Sequence, residues 1–115
     1  MAAAAAASPD PLDDTFAALA DPVRRRTVEL LAERPRRAGE LARELGASPS
    51  AMSKHLRVLR ERGLVSDSRP DDDIRVRIYS LRSAPMVELR RWLARAEQGW
   101  VSQLDAFAEH LEAER

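Results

Sequence analysis

Apolar positions recur along this chain in short bursts at helical spacing, broken by proline and glycine, and then in one long run towards the C-terminal end. Phe16, Leu19 and Ala20 fall at i, i+3 and i+4, which predicts a short helix over 13–19. Asp21 then Pro22 restarts the chain, with Asp as N-cap and Pro at the first helical position. Val23, Thr27, Leu30 and Leu31 supply the inward face of a second helix ending near Glu33, and Arg24, Arg25 and Arg26 fall outside that face. Beyond the Arg34-Pro35 break, Ala38, Leu41, Ala42 and Leu45 repeat at helical spacing until Gly46 stops them. Ser48-Pro49 opens the next helix, 48–62, whose buried stripe is Met52, Leu56 and Leu59 and whose end is Gly63. Two short helices joined through Gly46 outline a helix-turn-helix.

The period then changes. Residues 64–69 and 74–81 alternate, with Ile74, Val76 and Ile78 on one face and Arg75, Arg77 and Tyr79 on the other, separated by Pro70 and Asp71, Asp72 and Asp73. This predicts a β-hairpin, 64–81. Over 83–112, Met86, Leu89, Leu93, Ala96, Trp100, Leu104, Phe107 and Leu111 step by 3 or 4 residues, forming a helix longer than one small core can cover. Its surplus apolar face is most simply covered by the same helix of a second copy about a two-fold axis. Residues 1–12, an alanine run followed by Ser8, Pro9 and Pro11, have neither the helix continuity nor the apolar content to join a core, and are expected to be a disordered tail. The remainder, 13–115, is expected to be one domain, mainly α with a small hairpin.

A chain of 115 residues can bury roughly two-thirds of its unfolded surface, enough for one real core. It contains no cysteine, which excludes disulfides, thiolate metal sites, a cysteine nucleophile and thiol redox control. No apolar run reaches membrane-spanning length, and the alanines after Met1 lack the basic and Leu-rich regions of a signal peptide, so no membrane partner and an intracellular location are expected. The formal charge is zero, yet it divides into −3 over 1–33, +5 over 34–82 and −2 over 83–115. A basic middle third flanked by acidic segments suits a nucleic-acid reader joined to a separate assembly element.

On the 48–62 helix, setting aside the buried stripe leaves Ser48, Ser50, Ala51 and Ser53 near the start and Lys54, His55 and Arg57 further on. Short side chains at the N-terminus allow close approach to base edges in a major groove, and Lys54 and Arg57 can pair with phosphate or guanine acceptors. The segments Leu19-Ala20-Asp21-Pro22-Val23-Arg24-Arg25-Arg26 and Ser48-Pro49-Ser50-Ala51-Met52-Ser53-Lys54-His55-Leu56-Arg57-Val58-Leu59, followed by Gly63-Leu64-Val65, closely resemble the ArsR/SmtB family of winged helix-turn-helix transcriptional repressors. The resemblance runs from about Leu12 to the chain end. It implies a cytoplasmic, nucleoid-associated repressor that binds double-stranded operator DNA as a homodimer. The 48–62 helix would read the major groove, with Arg75 and Arg77 of the wing near the backbone. The first and last helices would form the dimer interface through Phe16, Leu19, Leu89, Trp92, Leu93, Ala96, Trp100, Leu104, Phe107 and Leu111. The acidic wing tip departs from the pattern, since three aspartates would repel a phosphate surface.

Many members of that family sense metals through a Cys-x-Cys pair before the recognition helix or through His and carboxylates on the last helix. Here Glu40-Leu41-Ala42-Arg43-Glu44-Leu45 offers no soft ligand. Glu109, His110 and Glu112 point in different directions around a helix, so neither metal nor cofactor is expected. Trp92 and Trp100 suit packing between helices, or alternatively a pocket for a small organic inducer. A winged-helix module used for protein–protein contact, without specific DNA binding, is the second reading of the neutral total charge and acidic tip. No nucleophile–base set or phosphate-cradling glycine loop supports an enzyme.

Overall fold

The computed structural model describes residues 10–70 and 75–114. Packing falls into two units, one ending at Pro85 and the other beginning at Met86.

The first unit opens with α1 (Pro11–Leu19), capped by the Asp10 carboxylate, which accepts from the Leu12 N–H at 2.8 Å, and with proline in its first turn. Pro11 and Leu12 therefore belong to a helix rather than to the tail, because Asp10-Pro11 is the same start signal as Asp21-Pro22. The rest of the expected tail lies outside the described residues. Thr15 and Ala18 form the buried face of α1, and Phe16 points outward. Two small side chains let α1 lie close against α2 (Pro22–Glu33), where a stripe built on Phe16 would hold it away. At the junction Asp21 accepts from the Val23 and Arg24 N–H groups, and the Arg24 and Arg25 guanidiniums reach back to the carbonyls of Ala18 (2.7 Å) and Leu19 (2.8 Å) at the end of α1. The Asp-Pro-Val-Arg-Arg segment thus closes one helix while starting the next.

After α2 comes a two-residue strand, β1 (Arg36–Arg37), which periodicity does not reveal. Next, α3 (Ala38–Leu45) ends at Gly46 in the left-handed region (φ 64°), where the Ala47 N–H donates to the Ala42 carbonyl. Helix α4 (Pro49–Glu61) buries Met52, Leu56 and Leu59 as expected and closes at Gly63 (φ 82°). β2 (Val65–Ser68) and β3 (Ile78–Leu81) are antiparallel, and β1 adds to the other edge of β3, giving a three-stranded sheet in the order β1-β3-β2 rather than a bare hairpin. The register sets Arg36 and Asp67 either side of Tyr79. The expected strand over 74–81 is shorter: Arg75, Val76 and Arg77 precede the ladder, and Ile74 and the Asp71–Asp73 tip lie outside the described residues. The faces are also exchanged at this point. Tyr79 is the buried residue, 7% exposed, while Ile78 is half-buried, because the tyrosine ring packs inward and its hydroxyl still reaches Arg77.

Leu41, Met52, Leu56, Leu59, Leu64 and Val65 are the largest side chains closed off from water and form the centre of the core. Against it lies a guanidinium. Arg36 is 5% exposed, donating to Glu44 Oε1 at 2.6 Å, Glu33 Oε1 at 3.1 Å and the Leu30 carbonyl at 3.2 Å. Each of its three nitrogens finds an acceptor, which is the condition for holding a buried cation.

The second unit is the body of α5 (Ser83–Ala113). None of its described residues is buried.

Candidate nucleic-acid interface

Helix α4 is aimed by its two ends. Ser48 is its N-cap, the Oγ accepting from the Ala51 N–H at 3.2 Å and lying 3.4 Å from Ser50 Oγ. At the other end Arg62 binds Asp14 of α1 at 2.8 Å. With Met52, Leu56 and Leu59 buried beneath, Ser50, Ser53, Lys54 and Arg57 are exposed on the opposite side. Ala51 and His55 are half-buried at its edge, and His55 Nδ1 stands 3.9 Å from Asp21 Oδ1. Desolvation pushes the Asp21 carboxyl up, but the N–H bonds of Arg24 and Val23 and the charges of His55 and Arg24 outweigh it and hold the group below the usual carboxylate value.

Beside α4 the surface is concave and basic. A depression of about 800 Å³ is bounded by Arg37 of β1 and Arg43 of α3, by Arg69, Arg75 and Arg77 of the hairpin arms, and by Ser53 of α4. A smaller one of about 150 Å³, lined by Ser53, Arg57, Arg60, Arg77 and Tyr79, continues it along α4. Glu40 also borders the larger depression, but it is engaged. The Arg34 side chain hydrogen-bonds it and holds its carboxyl below the ordinary value, Arg36 lies 3.7 Å away, and its carboxylate also accepts from the Arg37 backbone N–H at the start of α3. The bond to Tyr79 raises the pKa of Arg77, a group that is cationic in any case.

The arms therefore bring Arg75 and Arg77 to the same basic surface as Ser53 and Arg57. Arg60 joins them from the basic far end of the 48–62 helix, and Arg37, Arg43 and Arg69 join without having been singled out in the sequence. For those three the +5 of the middle third was the available signal, and it carries no geometry.

The residues assigned to subunit contact fall in both units. On α1, Phe16 is exposed and Leu19 half-buried; on α5, Leu89, Trp92 and Ala96 are half-buried and Leu93 and Leu111 exposed. Trp100, Leu104 and Phe107 are 63%, 66% and 60% exposed, and with Gln103 they line a shallow apolar depression of about 380 Å³ that does not include Trp92. Among the described residues no three His, Asp or Glu side chains converge as a metal site, and His110 pairs instead with Glu114 at 3.0 Å. No described helix is long and apolar enough to cross a membrane.

Residues 21–67, from the Asp21 cap to Asp67 of β2, match the model of the bacterial regulatory protein, arsR family. The HTH-type transcriptional regulator Rv2034 of Mycobacterium tuberculosis is 41% identical over 102 residues, 89% of this chain and 90% of its own length. The transcriptional repressor SdpR of Bacillus subtilis is 29% identical over 82 residues, 71% of this chain and 88% of its own length. Among solved structures, the ArsR-like transcriptional regulator from Rhodococcus sp. RHA1 superposes with a TM-score of 0.67 at 31% identity, covering 84% of this chain and 89% of that one. Sequence, fold and relatives agree that this chain is a DNA-binding transcriptional regulator rather than an enzyme, a winged helix-turn-helix member of the ArsR family.

Proposed function

We propose that the protein is a homodimeric repressor in which α4 reads the major groove of an inverted-repeat operator. The observation that carries this reading is the continuity of the exposed face of α4 with the arginine-lined depressions beside it. Small residues at its N-terminal end, Ser50 and Ser53, permit close approach, Lys54 and Arg57 reach base acceptors or phosphates, and the flanking arginines take the backbone. Ser48 serves first as the helix cap, and Ala51 and His55 flank the contact surface. Two copies joined through Phe16 and Leu19 of α1 and the apolar row of α5 would set their α4 helices about 34–36 Å apart, one turn of DNA. The exposed Trp100, Leu104 and Phe107 support this, since such a row is costly to leave in water.

Occupancy would occlude a promoter in the cytoplasm, at the nucleoid. A small organic inducer that shifted the separation of the two helices by a few ångströms would release both grooves together. Selection of bound sequences from a random duplex pool, with molar mass by light scattering, tests the reading. An enriched inverted repeat with a dimer mass is expected; a folded protein that enriches no sequence would turn the assignment towards a protein–protein module.

A further inference from the structure

Asp67 is a carboxylate placed inside the basic surface. It sits on β2 opposite Tyr79, with its side chain 22% exposed. Its two oxygens face different elements: Oδ1 is 3.7 Å from the Arg60 guanidinium in the last turn of α4, and Oδ2 is 3.5 Å from Arg77 Nε on the arm leading into β3. Both arginines line the small depression beside Ser53 and Arg57. The separations exceed those of a close charge-assisted hydrogen bond, about 2.7–2.9 Å, so Asp67 holds the two guanidiniums by charge without clamping them, while Arg77 is also bonded to Tyr79. A phosphate or a guanine edge can take either one from Asp67.

We infer that Asp67 is a specificity-determining positioning residue. It draws Arg60 and Arg77 towards one point by charge, and so links the reading helix to the wing arm. It also cancels part of the charge that would otherwise hold any duplex. The inference rests on the proposed reading of α4 as the DNA-contacting helix. Without the carboxylate the two arginines gain freedom and the surface gains one net positive charge, which strengthens sequence-independent phosphate contact and blurs the geometry on which base discrimination depends.

The test compares wild type, Asp67→Asn and Asp67→Glu on the duplex that wild type selects from a random pool and on a scrambled duplex of equal length, across a salt series. For Asp67→Asn, affinity for the scrambled duplex should rise about three- to tenfold, with the log–log salt slope steeper by about 0.9. The ratio of selected to scrambled affinity should fall by a similar factor. Asp67→Glu, which keeps the charge, should restore most of the ratio. Thermal melts of all three proteins establish that the variants are folded. A folded Asp67→Asn with unchanged ratio and slope overturns the inference while leaving the DNA-reading assignment intact, and so does an equal loss on both duplexes. A wild type that selects no sequence at all refutes that assignment, and the inference with it.

Discussion

Arg36 offers the most direct test of how this small core is held. Its guanidinium joins the end of α2, through Leu30 and Glu33, to α3, through Glu44, and its backbone belongs to β1 against Tyr79. Arg36→Met keeps an apolar stem of similar length and removes the cation. Hydrogen bonds to charged groups contribute about 1.5–3 kcal/mol each when shielded, but Glu33 and Glu44 are 68% and 43% exposed, which discounts each pair to about 1 kcal/mol or less. Adding the bond to the Leu30 carbonyl, the expected loss is about 2–3 kcal/mol, or about 6–15 °C in Tm for a domain of this size. Arg36→Ala should lose about 1.5 kcal/mol more, for the missing methylenes of the stem. Far-UV circular dichroism melts at one fixed protein concentration measure both, since association would otherwise shift Tm. A Met variant melting within about 2 °C of wild type would refute the reasoning. It would mean that the guanidinium's desolvation cancels its bonds, as happens when some buried ion pairs are replaced by apolar side chains of similar volume.

Lys54→Ala and Arg57→Ala should each weaken binding to the selected duplex about tenfold or more and flatten the salt slope by about 0.9 wherever the lost contact is to phosphate, measured by fluorescence anisotropy. Leu104→Glu, on the exposed row of α5, should convert a dimer mass to a monomer mass in light scattering and abolish binding to the inverted repeat while the far-UV spectrum stays helical. The Asp21 carboxyl is depressed in the folded state, so its stabilisation is complete above the ordinary carboxylate value of about 3.9 and is lost as pH falls through the lower folded value. The Tm difference between wild type and Asp21→Ala should accordingly be constant near neutrality and shrink below about pH 4.

Much of the frame was legible along the chain because helix punctuation is local. Asp21-Pro22, Ser48-Pro49, Gly46 and Gly63 act on hydrogen bonds within a turn of themselves, and Met52, Leu56 and Leu59 had only one face of a helix to occupy. The same Asp-Pro grammar at Asp10-Pro11 went unread because alanine and proline composition argued for a tail. The exposed face of α4 followed from the buried one by subtraction, and the family resemblance gave it a role.

Everything that depends on partners distant in sequence was decided by the tertiary structure. Two residues of β1 have no period to detect, and they become a strand only because β3 supplies their hydrogen bonds. No sequence rule buries Arg36, since a cation is tolerated there only once Leu30, Glu33 and Glu44 converge on it. Strand alternation put Tyr79 on the wrong face, because a large ring with a polar tip satisfies both inside and outside. Arg37, Arg43, Arg60 and Arg69 lie on four separate elements or their edges and form one surface with Arg57 and Arg77 only after the sheet closes against the helices, with Asp67 between two of them. The sequence by itself determined the helices and the charge they carry, because caps and periods are short-range. Which charges face one another was left to the fold, because electrostatic neighbours are set by distance in space and not along the chain.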